Sequence, residues 1–161
     1  MPEYRPTPSG GLQRLLAMPR FSQTPDTAYA PGQDRIRGLL ATMGDPHVSL
    51  PVVHIGGTNG KGSTASYVSA LGTASGLRVG LFTSPSLLRT AEMIRIDGVP
   101  QDEALSHAAD RWIEAIEASG ATFFEAVTAL AFGIFAEAGV DLAVVEVGLG
   151  GRDDATAVVE P

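Results

Sequence analysis

The hydrophobic positions of the chain change period several times. Ile36, Leu39, Leu40 and Met43 recur at helical spacing and predict a helix over Asp34–Met43. "PVVHI" (51–55) is a short β-rich run that enters a glycine loop, and the following residues, Ser63–Ser75, are predicted helical up to a stop at Gly76. "LRVGLFTS" (77–84) reads as a second buried strand broken by Pro85, and "EMIRIDGVP" as a short strand and turn. Two helices follow. Asp102 is placed as the cap of the first, whose Leu105, Ala109, Trp112, Ile113 and Ile116 share one face before Gly120. The second, "TFFEAVTALAFGIFAEAG", is apolar nearly all round and is expected to be buried. "DLAVVEVG" (141–148) is the third strand, continuously apolar until Glu146.

Continuously apolar strands separated by helices indicate a parallel sheet covered on both faces, a three-layer α/β/α arrangement. With three strands, an unpaired edge is expected after the strand of Glu146. Residues 1–33, rich in Pro, Gly, Ser and Thr, read as an N-terminal segment with one short helix near Leu12–Met18. Residues 34–161 read as the main domain.

Composition narrows the function classes. The net charge of −7 gives no bulk attraction to nucleic acid or anionic membrane, and neither is expected as a partner. Cysteine is absent, which excludes disulfides and thiolate chemistry. The longest apolar run, eleven residues between Glu125 and Glu137, is too short to span a bilayer, and the N-terminus lacks a signal-peptide core, so a cytoplasmic location is expected. Of eleven basic residues, ten are arginine and the single lysine is Lys61. A compact ammonium fits between phosphate oxygens where a planar guanidinium is bulkier.

Lys61 lies in "GGTNGKGS", between a strand and a helix. Gly56, Gly57, Gly60 and Gly62 let backbone N–H groups turn toward an anion, and the helix aims its positive end at it. An ordinary βα turn needs one or two glycines, so four around a lysine point to nucleotide phosphate. The spelling departs from G-x-x-x-x-G-K-[ST], because Lys61 is followed by Gly62. Glu146 ends an apolar strand where an open parallel sheet has its ligand crevice, a place for a Mg²⁺-holding carboxylate, although a lone glutamate there is more often only solvated. Ser84 reaches the same sheet edge and is equally explained as a turn residue before Pro85. Thr122 and Glu125 have capping-box spacing, which alone accounts for both. Phe123 and Phe124 cannot share one buried stripe, so one is free to face a flat ligand. "GLGGRDDATAVV" holds more glycines than a plain loop needs. His54 reads as a strand residue, and His47 and His107 as surface.

Taken in order, "HIGGTNGKGS", "GLFTSPSLLR", "TFFE" and "VEVGLGGRDDAT" resemble the folylpolyglutamate synthase/dihydrofolate synthase family of the Mur ligases, from about Pro31 to Pro161. The resemblance implies a P-loop domain of the Mur-ligase central type, incomplete at its C-terminus. It implies ATP binding by Thr58, Asn59, Gly60 and Lys61, with Gly62 and Ser63 adjoining, and Lys61 as the catalytic cation. It implies Mg²⁺ ligation by Ser84 and Glu146, and a pterin site lined by Thr122, Phe123, Phe124, Glu125, Asp154 and Ala155. The implied reaction joins L-glutamate to dihydropteroate or a folate at the expense of ATP, in a protein that is a monomer when full length. Ser86, Asp153 and Ala157 stand where the family has His, Leu and Asn. Two other readings follow from these departures and the short length: a nucleotide-binding fragment without catalysis, and a ligase of the same fold acting on a non-folate carboxylate.

Overall fold

The computed structural model describes residues 8–18 and 33–160. The rest of the N-terminal segment, 1–7 and 19–32, and Pro161 lie outside the described residues. Five helices and five strands follow in chain order: α1 (Gly10–Ala17), α2 (Asp34–Thr42), β1 (Val52–Ile55), α3 (Lys61–Ala74), β2 (Val79–Phe82), β3 (Ile94–Ile96), β4 (Val99–Pro100), α4 (Asp102–Ser119), α5 (Phe123–Ala138) and β5 (Leu142–Glu146).

The sheet order is β1-β5-β2-β3-β4. β5 pairs parallel to β1 on one side and to β2 on the other, with Ile55 opposite Glu146 and Phe82 opposite Val145. This corrects the expected unpaired edge: β5 is the central strand of the parallel part, and no edge follows Glu146. The sheet is also not wholly parallel, because "EMIRIDGVP" folds as an antiparallel hairpin of β3 and β4 beside β2. Asp97, with φ 50°, and Gly98, with φ 81°, make its turn.

Alternation along the strands sends side chains to two cores. Ala143, Val145 and Phe82 face the larger core with α1, α2, α4 and α5, where Leu15, Leu40, Ile116, Leu130, Phe132 and Phe135 are fully enclosed. Val144, Val79 and Leu81 face the smaller one, closed by Ala65 of α3. The three-layer arrangement is therefore present, with α3, among the described residues, the one helix over the second face. As expected, α5 is buried on nearly all sides; it starts in a full capping box of Thr122 and Glu125 and ends at Gly139. Asp102 differs from expectation. Gln101 occupies the cap position and Asp102 is the first helical residue, its carboxylate accepting from Arg89 at 2.9 Å. His47 is also not a surface residue: it is half-buried, tilted onto Phe132 at 6.1 Å.

Candidate nucleotide and ligand site

β1 ends at Ile55, and the chain turns through Gly56–Gly60 into α3, which begins at Lys61, two residues before the predicted start. Gly60 takes the cap position with φ 79°, a conformation costly for any residue with a β-carbon. No side chain caps α3, so its first N–H groups remain directed at whatever occupies the loop. The stem of Lys61 folds back over the loop, its Cγ 3.7 Å from where a β-carbon on Gly57 would stand.

Glu146 sits directly under this helix start. Its Oε2 and Oε1 lie 3.4 and 3.5 Å from the position of a β-carbon on Gly62. Its Oε2 also accepts from the Ser84 backbone N–H at 3.1 Å. Lys61, Ser84 and Glu146 thus come from three different strand ends and meet at one rim of the sheet. The carboxylate is 5% exposed, and among the described residues no basic side chain lies within ion-pair distance of it. A buried carboxylate needs positive charge nearby. The α3 N-terminus supplies part of it, and a divalent ion fits the remainder. An anionic phosphate tail cannot share this corner with a carboxylate unless a cation lies between them. Among the described residues no three acidic or histidine side chains form a metal cluster of their own.

The second half of the site lies across Gly148. A β-carbon there would stand 2.6 Å from Phe124 Cζ and 3.0 Å from Asp154 Oδ2, so the bare backbone is what admits both side chains. Phe124 is half-buried against Phe82, with ring centroids 5.9 Å apart, whereas Phe123 points into the main core. Thr122 and Glu125 are engaged in the cap: Glu125 N–H donates to Thr122 Oγ1, and Thr122 N–H to Glu125 Oε2 at 2.7 Å. Arg35 of α2 then clamps Glu125 through both carboxylate oxygens, at 2.9 and 3.1 Å. Ala155 is buried at the start of a single 3₁₀ turn, Ala155–Val158.

Asp154 is 7% exposed and takes three donors. Leu149 N–H reaches Oδ2 at 2.8 Å, and Thr156 gives Oδ1 its N–H at 2.9 Å and its hydroxyl at 2.5 Å. His54 Nε2 is 2.8 Å from the same hydroxyl oxygen. Burial pushes the His54 imidazole below its ordinary value, with the Asp154 charge opposing. Gln33 joins α2 to this loop by donating to the carbonyls of Arg152 and Asp154 at 3.0 and 3.2 Å. Gln33, Arg35 and Thr156 carried no sequence signal. Each acts through a partner about 90 or more residues away, or through a hydroxyl in a loop with no periodicity.

No protein-family model matches the chain. A curated relative, the dihydrofolate synthase/folylpolyglutamate synthase of Mycobacterium tuberculosis, is 44% identical over 149 residues, covering 84% of this chain and 31% of that protein. The solved folylpolyglutamate synthase of Thermotoga maritima superposes with a TM-score of 0.81 at 42% identity, over 93% of this chain and 35% of its own. An FPGS–AMPPCP–folate complex superposes at 0.80 with 38% identity, over 94% of this chain and 37% of its own. The chain therefore spans about a third of the length of these proteins. Across the part it spans, sequence and fold agree, and the chain belongs to the folylpolyglutamate synthase/dihydrofolate synthase family.

Proposed function

We propose that this chain is the nucleotide-binding portion of an ATP- and Mg²⁺-dependent ligase that adds L-glutamate to dihydropteroate or to a folate. The observation that carries the proposal is the buried carboxylate of Glu146 against the N-terminus of α3 and the backbone of Ser84. A relative of 38% identity was solved with a nonhydrolysable ATP analogue and folate, which supports both ligand classes.

Thr58, Asn59, Gly60, Gly62 and Ser63 would cradle the triphosphate, and Lys61 would neutralise charge as the γ-phosphoryl group leaves. Glu146 and Ser84 would hold Mg²⁺, which when bound draws off negative charge from phosphate oxygens. Phosphoryl transfer to the substrate carboxylate gives an acyl phosphate. The amine of L-glutamate attacks its carbonyl carbon, the C–O bond to phosphate breaks, and an amide and inorganic phosphate result. Phe124 and Asp154, both seated where Gly148 lacks a side chain, would offer a flat apolar surface and an acceptor for a pterin ring. Thr122 and Glu125, with Phe123 in the core and Ala155 below Asp154, shape that pocket by fixing the start of α5 and the loop opposite.

The test is ADP release by the full-length protein with L-glutamate and, in turn, dihydropteroate, tetrahydrofolate and a cell-wall precursor. Release that depends on both glutamate and a pteridine is expected. Release with the cell-wall precursor alone would assign a non-folate ligase.

A further inference from the structure

The direction of the hydrogen bonds around Thr156 is fixed by charge. Its hydroxyl oxygen is 2.5 Å from Asp154 Oδ1, a separation that an ionised carboxylate tolerates only if the hydroxyl proton lies between them. The hydroxyl has one proton, so toward His54 it must accept, and His54 must carry its proton on Nε2. The order is therefore His54 Nε2–H to Thr156 O–H to Asp154 Oδ1. A carboxylate has about four lone-pair positions. Among the described residues, protein donors occupy two on Oδ1 and one on Oδ2, which leaves a single acceptor position, on the Oδ2 that borders Gly148 and Phe124.

His54 belongs to β1, one residue before the strand ends and the phosphate loop begins, whereas Asp154 lies in the loop after β5. The relay crosses from the nucleotide half of the site to the other half. Thr156 is wholly enclosed, so no water substitutes for either partner.

We infer that His54 is a positioning residue for the carboxylate substrate: through the hydroxyl of Thr156 it reinforces, beside the N–H groups of Leu149 and Thr156, the orientation of Asp154 that turns its remaining acceptor position on Oδ2 toward Gly148 and Phe124. This rests on the proposed function for the identity of that substrate, and on the structure alone for the relay. His54→Leu removes the donor. The Thr156 hydroxyl then loses the donor that orients its proton toward Asp154, and the Oδ1 contact weakens without any change in the phosphate loop itself.

The experiment uses the full-length protein and steady-state ADP release. His54→Leu and Thr156→Val should each raise KM for the pteridine substrate about tenfold, while KM for ATP and kcat stay within about twofold. Thr156→Ser, which keeps the hydroxyl, and His54→Gln, which keeps an N–H donor, should recover most of the loss. Equal changes in both KM values, a fall in kcat alone, or no rescue by Thr156→Ser in a protein of unchanged Tm would overturn the assignment. Long-range ¹H–¹⁵N correlation of the wild-type imidazole tests the relay without turnover. A proton on Nε2 supports it and a proton on Nδ1 overturns it. Wild-type protein that releases ADP with no pteridine yet shows the Nε2 proton sinks the proposed function and leaves the relay standing.

Discussion

The carboxylate of Glu146 lies against the backbone of Gly62, its Oε2 3.4 Å from where a side chain would start. That relationship joins a strand end to a helix start across 84 residues of chain, and several outcomes depend on it.

Gly62→Ala inserts a methyl group between the helix N-terminus and the carboxylate. At 3.4 Å the contact is ordinary, and alanine is the better helix former by about 0.5–1 kcal/mol, so the melting temperature should hold or rise. Nucleotide turnover should fall at the same time, because the space for phosphate and cation has narrowed. Opposite movements of Tm and kcat/KM are the readout; a parallel loss of both would mean the loop had simply been distorted.

Lys61→Ala should reduce ATP turnover in the full-length protein by about 10²–10³-fold, the scale of removing one donor from a developing negative charge. Lys61→Arg should rescue little of it, since a planar guanidinium does not reproduce a point charge over Gly57. Substantial activity in either variant counts against the proposed role.

Glu146→Gln retains an oxygen to accept from the Ser84 N–H but loses the charge. The fold should persist, while the Mg²⁺ concentration needed for half-maximal ADP release should rise by tenfold or so. A Mg²⁺ titration superimposable on wild type would separate this carboxylate from metal binding.

Gly80→Ala tests the core away from the site. A β-carbon there would stand 2.7 Å from the ring of Phe135, which is wholly enclosed, and overpacking of this kind costs about 1–3 kcal/mol. A urea midpoint indistinguishable from wild type would show that α5 and β2 are less tightly packed than described.

Two histidines give stability a pH dependence. Burial lowers the imidazoles of His47 and His54, with Asp45 and Asp154 respectively opposing and Arg37 adding to the effect at His47. The unfolded chain therefore takes up protons before the folded one does. The stability contributed by neutral imidazole is complete above about pH 6.5 and is lost as pH falls through the lower folded values. Urea midpoints should be flat from pH 8 to 7 and decline below, and the His47→Gln, His54→Gln pair should flatten that decline. A further loss below about pH 4.5 is expected as Glu92 and Glu117, held down by Leu88 N–H and by Arg14 respectively, become protonated.

Much of the element order was legible because local chemistry encodes it. Gly76, Gly120 and Gly139 mark helix ends; "LAVVE" forms the inner strand because a continuous apolar β-branched run suits a strand covered on both faces, whereas "VVHI", with Val53 exposed, is the outer strand of the described sheet. Thr122 and Glu125 form their box because its spacing is local. The place of β5 between β1 and β2 was not legible, because strand neighbours are chosen by side-chain packing across the whole domain rather than by sequence adjacency. The Arg35–Glu125 clamp escaped for the same reason. The phosphate loop, Ser84 and Glu146 were legible as sharing one rim because parallel strands end on the same side, whereas the direct adjacency of loop and Glu146 follows from the register that sets Ile55 beside Glu146.

That inner placement of β5 sets a timetable for the ribosome. β1 and β2 are translated before it, yet neither has a parallel partner until β5 slides into the gap and zips both sides at once. A nascent chain halted before Leu142 has its glycine turn, its lysine and its serine already translated, but they belong to two unjoined ribbons, and they come together in one step when β5 joins them rather than gradually.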